Sequence, residues 1–252
     1  MGDRPTDPVI AWLRDAESRH LSALRFPEVR RALQSLSAWY VERRSRFQPE
    51  VALDGAGKRA AFALFYGPLH FAVVSHLVRA LSACDPPLRR ILDLGCGTGA
   101  AGAAWALESG GAVLTGIDRH TWAVEETRRT WRALGLEGKS RRGDLARQRL
   151  PGAGNAILAA YTVNELPCGD RAGLLQQLRG AAGRGARVLI VEPVARRALD
   201  WWEEWRAAFE ADGGRADTWR FEAELPEITS RLDRAAGLDH RELTARSLYL
   251  PA

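Results

Sequence analysis

Cysteine is scarce in this chain. Cys84, Cys96 and Cys168 are the only three in 252 residues, and they stand far apart with no C-x-x-C spacing. That usage argues against a disulfide framework and offers neither zinc nor an iron–sulfur cluster a ligand set. A reducing cytoplasm is the expected compartment, and no metal site is expected. Long apolar runs are lacking as well, since no uninterrupted one nears the roughly 20 residues a membrane span needs. Met1 to Arg14 carries acids and prolines where a secretory leader would have a charged and then an apolar stretch. The expectation is a soluble protein without a membrane partner. Lysine is almost absent: Lys58 and Lys139 are two among 36 basic residues.

The chain has a net charge of +5, a pI near 9.5 and 46% hydrophobic residues. That is enough apolar material for one sizeable core and an accessory segment. Arg30, Arg31, Arg43, Arg44 and Arg46 gather near the N-terminus. They fit either contact with RNA or a solvated face in an arginine-rich composition.

Residues 1–85 show helical periodicity and no convincing strand, with apolar-faced stretches at Val29 to Phe47 and Lys58 to Leu81. Pro68 predicts a kink or a break near Tyr66 and Gly67. Asp85-Pro86-Pro87 marks a boundary, so 1–85 is read as a helical cap and 86–252 as the ligand-binding domain. From there strands and helices alternate. Strands are expected at Ile91 to Leu94, Val113 to Ile117, Ser140 to Gly143, Ala156 to Val163 and Arg187 to Val191. Helices are expected from Ala100, over Thr121 to Leu134 and over Arg171 to Ala182. A helix bearing Trp201, Trp202 and Trp205 follows, then an ill-defined region and a final strand at His240 to Leu250. Such alternation specifies an α/β, doubly wound, mostly parallel sheet preceded by a helical segment.

Ile91-Leu92-Asp93-Leu94-Gly95-Cys96-Gly97-Thr98-Gly99 ends a strand on three glycines and opens a helix near Ala100. A turn of this kind lets a ligand approach the backbone closely, and the glycines alone fit a dinucleotide as well as any other nucleoside. Asp93, two residues before the first glycine, is placed for a ligand ammonium, which nicotinamide cofactors lack. Asp118 closes the next strand, where an acid accepts both ribose hydroxyls. Asp144 follows the third strand, within reach of an exocyclic adenine amine. Cys96 is read as a packed residue whose backbone N–H serves the ligand. His70 and His76 are read as partnered structural histidines, with a ligand contact from Tyr66 or His70 as the lesser alternative; His120 either flanks the adenine or lies on the surface, and the three tryptophans form a core face.

These residues resemble motif I and the ribose and adenine acids of class I S-adenosylmethionine (SAM) dependent methyltransferases, over Arg90 to Pro193. The resemblance implies SAM as cofactor. It assigns Asp93, Gly95, Cys96, Gly97, Gly99, Asp118, Arg119, Asp144, Leu145 and Tyr161 to cofactor binding. It also places the acceptor against Tyr161-Thr162-Val163-Asn164-Glu165-Leu166-Pro167, where Asn164 and Glu165 become the catalytic candidates. Glu165 is either a general base or acceptor-orienting group, or simply the N-terminal acid of the next helix. The Asn/Asp-Pro-Pro-aromatic motif of the family's amino-methylating enzymes is absent here, which argues against base N-methylation by that arrangement.

A second resemblance, to the methyltransferase-like assembly proteins of the mitochondrial small ribosomal subunit and their bacterial relatives, spans most of the chain. It rests on Arg59 to Phe62, Tyr66 to Phe71, Ala159 to Pro167, Trp219 to Phe221 and Ser247 to Tyr249. No cysteines stand around Trp219, so no cluster is implied. The expected acceptor is RNA or a ribosomal component. The alternatives are a small-molecule O- or N-methyltransferase, or a SAM-binding ribosome assembly factor without catalysis.

Overall fold

The computed structural model describes residues 7–42, 53–194 and 200–252. Arg43, Arg44 and Arg46, and the end of the predicted Val29 to Phe47 helix, lie outside the described residues.

Among the described residues three helices precede the sheet: α1 (Pro8–Leu21), α2 (Phe26–Glu42) and α3 (Ala56–Ala80). Asp7 caps α1, its Oδ1 accepting the Val9 N–H at 2.8 Å, and Pro8 opens the helix where a missing N–H costs nothing. By length and composition alone α3 would span a membrane, but 67% of its apolar window is buried inside the fold. Pro68 does not break it. A π turn over Phe62–Tyr66 lets the Gly67 N–H reach back five residues to the Phe62 carbonyl, so the helix continues past the ring. The Leu64 carbonyl, which Pro68 has no N–H to serve, accepts instead from Thr229 Oγ1 at 2.9 Å.

The sheet comprises β1 (Arg90–Leu94), β2 (Val113–Asp118), β3 (Gly138–Arg142), β4 (Asn155–Ala160), β5 (Arg187–Glu192), β6 (Arg215–Glu222) and β7 (Glu242–Leu250). Its order is β3-β2-β1-β4-β5-β7-β6, parallel except for β7, which runs antiparallel to β5 and β6. The helices between strands are α4 (Ala100–Glu108), α5 (Thr121–Ala133), α6 (Cys168–Ala182), α7 (Trp202–Ala211) and α8 (Glu227–Ala236). Strand β6 and helix α8 fill the region the sequence left undefined. The described strand β4 stops at Ala160 because Tyr161 turns into the left-handed region, at φ +58°.

Alternate residues of the central strands enter two apolar clusters, which is why those strands read as continuous apolar runs. Ile91 and Leu158 join α1 to α4 on one face, while Leu92, Ile157 and Val188 join α6, α7 and the three tryptophans on the other. The tryptophans are core residues: Trp201 and Trp205 meet edge to face at 4.9 Å.

Helix α1 is fastened to α5 by a two-pronged ion pair, Arg19 Nη1 and Nη2 to Glu126 at 3.0 and 2.8 Å. Burial alone would raise the Glu126 carboxyl, but His20 and Arg19 outweigh it and hold it at about 2. An acid held below its unfolded value stabilises the fold above that value, so the contribution is complete above about pH 4.5 and lost as pH falls through about 2. It amounts to roughly 3 kcal/mol. Denaturant titrations over this window should show Glu126→Gln losing stability at neutral pH and matching the parent at the acid end.

Candidate cofactor and acceptor site

The turn after β1 closes on its own hydrogen bonds. Gly95 and Cys96 both donate their N–H to the Ile117 carbonyl, at 2.8 and 3.1 Å, and Gly97 donates to Asp118 Oδ2 at 2.9 Å. Cys96 therefore contributes shape and no free N–H donor, contrary to the sequence expectation. Its thiol is buried, takes a 3.3 Å contact from Thr127 Oγ1, and is pushed well up by burial and by the nearby Asp93 and Asp118 charges. Two glycines are needed for different reasons. At Gly95 (φ +73°) a Cβ would lie 2.4 Å from Thr162, whereas at Gly97 (φ +54°) it would meet nothing nearer than 4.0 Å. The backbone at Gly97 is thus bare toward the crevice, where a ligand can approach. Gly99 (φ +77°) begins α4, and its carbonyl accepts from Trp131 Nε1 at 2.8 Å.

All three acids stand at the carboxyl ends of their strands. Asp93 is 1% exposed, and its Oδ2 has no hydrogen-bond partner. It lies so close to α4 that any side chain at Gly102 would collide with it. Burial raises this carboxyl to about 7, with Asp118 adding to the rise and the Gly102 N–H opposing it. Asp118 accepts from Gly97 N–H and, through Oδ1, from His120 N–H at 2.8 Å. Burial still lifts it above the usual carboxylate range. Asp144 is the most open of the three. It caps a short 3-10 turn through the Ala146 N–H at 3.0 Å and pairs with Arg119 at 3.2 Å. Burial acts upward there, but those partners and Arg147 carry it below its ordinary value. Leu145 packs behind it in the second apolar cluster.

At the end of β4 the Tyr161 N–H is held by the Val191 carbonyl at 2.7 Å, and its ring stacks on His70 from α3, centroids 4.0 Å apart and 15° from parallel. Burial keeps His70 neutral, with a pKa of about 3, and raises the Tyr161 phenol. Tyr66 stands beside them, 6.2 Å from His70. The π turn thus faces the crevice and helps to wall it. Asn164 donates its backbone N–H to Glu192 Oε1 at 3.2 Å. Glu165 lies within electrostatic reach of Asp118, Glu192 and Arg119; burial first, then the two acids, drives its carboxyl well above the normal range.

Glu192 is the residue sequence reasoning missed. It ends strand β5 after the apolar run Val188 to Val191, is 1% exposed and is raised to about 8 by burial, which outweighs the N–H groups of Asn164, Val163 and Thr162. The signal was the one that marked Asp93 and Asp118: an acid closing a buried strand. No cluster of metal-ligating side chains occurs among the described residues.

Residues 73–160 match the methyltransferase small domain family. A 62-residue stretch is 45% identical to ribosomal RNA large subunit methyltransferase G of Ectopseudomonas mendocina (strain ymp), covering 25% of this chain and 15% of that protein. A 61-residue stretch is 43% identical to ribosomal RNA small subunit methyltransferase C of Chromohalobacter salexigens, covering 24% and 18%. The matched stretches thus span less than a fifth of either relative. Among solved structures, magnesium protoporphyrin IX methyltransferase from Synechocystis PCC 6803 aligns over 99% of this chain and 98% of its own, with a TM-score of 0.50 and 18% identity, a likeness of fold. With the small-domain match across its first four strands and a sheet ordered 3-2-1-4-5-7-6, the chain has the fold of the class I SAM-dependent methyltransferases.

Proposed function

We propose that this protein is a SAM-dependent methyltransferase of the cytoplasm whose acceptor is RNA. The observation that carries the cofactor reading is Asp93, a buried carboxyl with an unpartnered oxygen beside the glycine turn. Leaving such a group unpaired is costly, and a ligand ammonium is the complement that relieves it. Asp118 keeps acceptor capacity beyond its two N–H bonds for ribose hydroxyls, and Asp144, Leu145 and Arg119 form the adenine end.

When bound, SAM supplies an activated methyl group on a sulfonium, so the protein's work is alignment and exclusion of water. Tyr161 and His70 wall the acceptor end, and Asn164 is held by Glu192. Glu165 is placed to take the proton that a neutral nucleophile sheds once methylated. The RNA acceptor is supported by the two ribosomal RNA methyltransferases matched over part of the chain and by the net charge of +5.

Calorimetry with SAM and its demethylated product, with NAD as control, followed by radiolabelled transfer to RNA, protein and metabolite fractions, tests this. Micromolar SAM binding with label in RNA is expected. Label confined to metabolites would replace the acceptor by a small molecule. Binding without label anywhere would favour an assembly factor, and absence of SAM binding would overturn the proposal.

A further inference from the structure

Several arginines of the C-terminal third are tied to acids, although others there, such as Arg184 and Arg187, donate only to backbone carbonyls. In the C-terminal third, Arg171, Arg179, Arg206, Arg215, Arg220 and Arg241 each contact a carboxylate at 2.6–2.8 Å. Between residues 128 and 142 the pattern reverses. Arg128, Arg129, Arg132, Lys139, Arg141 and Arg142 stand against one acid, Glu137, a local net charge of +5 that equals the charge of the whole chain. All six are exposed, and among the described residues none of them forms an ion pair.

The fold concentrates these charges at one edge. Strand β3 ends the sheet, and α5 lies directly against it: Arg128 donates to the Ser140 carbonyl at 2.7 Å, and Ser140 Oγ donates to the Val124 carbonyl at 2.7 Å. Side chains alternate along a strand, so Ser140 and Arg142 take the α5 face while Lys139 and Arg141 take the other, and cations flank the open edge from both sides. Arg128 and Arg132 line a groove between α5 and the strand, and Lys139 borders it from the strand itself. Charged edge strands also deter unwanted pairing. That accounts for Lys139 and Arg141, but not for three arginines without a carboxylate partner on the neighbouring helix.

We propose that this edge, β3 with the second half of α5, is the docking surface for the phosphate backbone of the RNA acceptor. The inference rests on the RNA reading above and goes beyond it by naming the surface. Guanidinium groups free of carboxylate partners suit phosphate oxygens. The patch also adjoins the cofactor crevice, because Arg142 lies in register with Asp118. Backbone contacts of this kind position an acceptor without selecting its sequence.

The test compares a triple variant, Arg129→Gln, Arg132→Gln and Lys139→Gln, with a control of equal charge change, Arg206→Gln, Arg215→Gln and Arg220→Gln. Binding of labelled single-stranded RNA of mixed sequence is followed by anisotropy across a salt series, with SAM binding measured on the same preparations. The edge variant is expected to bind more weakly at every salt concentration. Its log–log salt slope should shrink by about 2, or about 0.7 for each phosphate that one of the three cations neutralises in the parent. The control should keep the parent slope, and all three proteins should bind SAM equally. Equal loss in both variants, or loss in neither, would overturn the surface while leaving RNA as acceptor. A parent that binds SAM but no RNA would overturn the RNA reading and the surface with it. Polyglutamate binding as tightly as RNA, with the same dependence on the three cations, would replace the occupant by an acidic protein.

Discussion

Asp93→Asn is expected to bind SAM about a hundredfold more weakly than the parent and yet to unfold at a higher temperature near neutral pH. The two effects have one cause. The parent buries a carboxyl with an unpartnered oxygen, and burial raises it to about 7. An acid whose folded value exceeds its unfolded value favours the fold while protonated, and that advantage is lost as pH rises through the folded value. Between its ordinary value of 3.8 and about 7 the apo protein therefore loses roughly 4 kcal/mol relative to a neutral side chain. The asparagine does not ionise, so this part of the pH-dependent loss is absent from the variant. A ligand ammonium reverses the balance by favouring the charged carboxylate. Hydrogen bonds to charged groups are worth about 1.5–3 kcal/mol, which converts to the hundredfold loss. Below about pH 7 SAM binding must also expel the Asp93 proton, so parent affinity falls by up to about tenfold per pH unit as the solution is acidified. Calorimetry in buffers of different ionisation heat reads that proton directly. A parent whose SAM affinity ignores pH between about 5 and 8 would remove Asp93 from the ammonium site.

The same residue shows how far the sequence could be read. An acid closing an apolar strand is visible in the string of letters, so Asp93 and Asp118 were legible, and β1, β2, β4 and β5 were legible as apolar runs, while the charged β3 was legible only from its place in the alternation of strands and helices. Strand β6 was not, because it forms the opposite edge of the sheet, where Ala216, Trp219 and Phe221 are only partly buried among exposed Arg215, Thr218 and Arg220, so no continuous apolar run marks it. Helix α8, which follows Pro226, has only Ile228 and Leu232 as large apolar residues on its buried face, so few letters announced it. Pro68 was visible as a helix breaker, but the partner that lets the helix survive is Thr229, some 160 residues away, and no local signal announces it. Glu192 carried the acid-at-strand-end signal in full. What the letters did not show is that its carboxyl turns back to hold the loop after β4.

That carboxyl gives the second large effect. Glu165→Gln is expected to lower methyl transfer by about 10²–10⁴, the range a positioned base contributes, with SAM binding unchanged. Glu165 accepts a proton only when ionised, and burial together with the charges of Asp118 and Glu192 lifts it well above the carboxylate range, against the pull of Arg119. The parent rate should therefore rise with pH along a limb displaced above that range, and Glu165→Gln should lack the limb. Glu192→Gln separates charge from structure. Its amide oxygen still accepts the Asn164 N–H, so the loop and the plateau rate persist, but one of the two charges opposing Glu165 ionisation is gone and the limb moves to lower pH. Glu192→Ala removes the acceptor itself and leaves the buried N–H groups it served unpaired, at about 1–3 kcal/mol each. The plateau then falls as well. Because the two acids titrate as a pair, the observed values belong to both, and the direction of the shift is the diagnostic. A limb that stays in place in Glu192→Gln would mean that the group titrating in the rate is not Glu165.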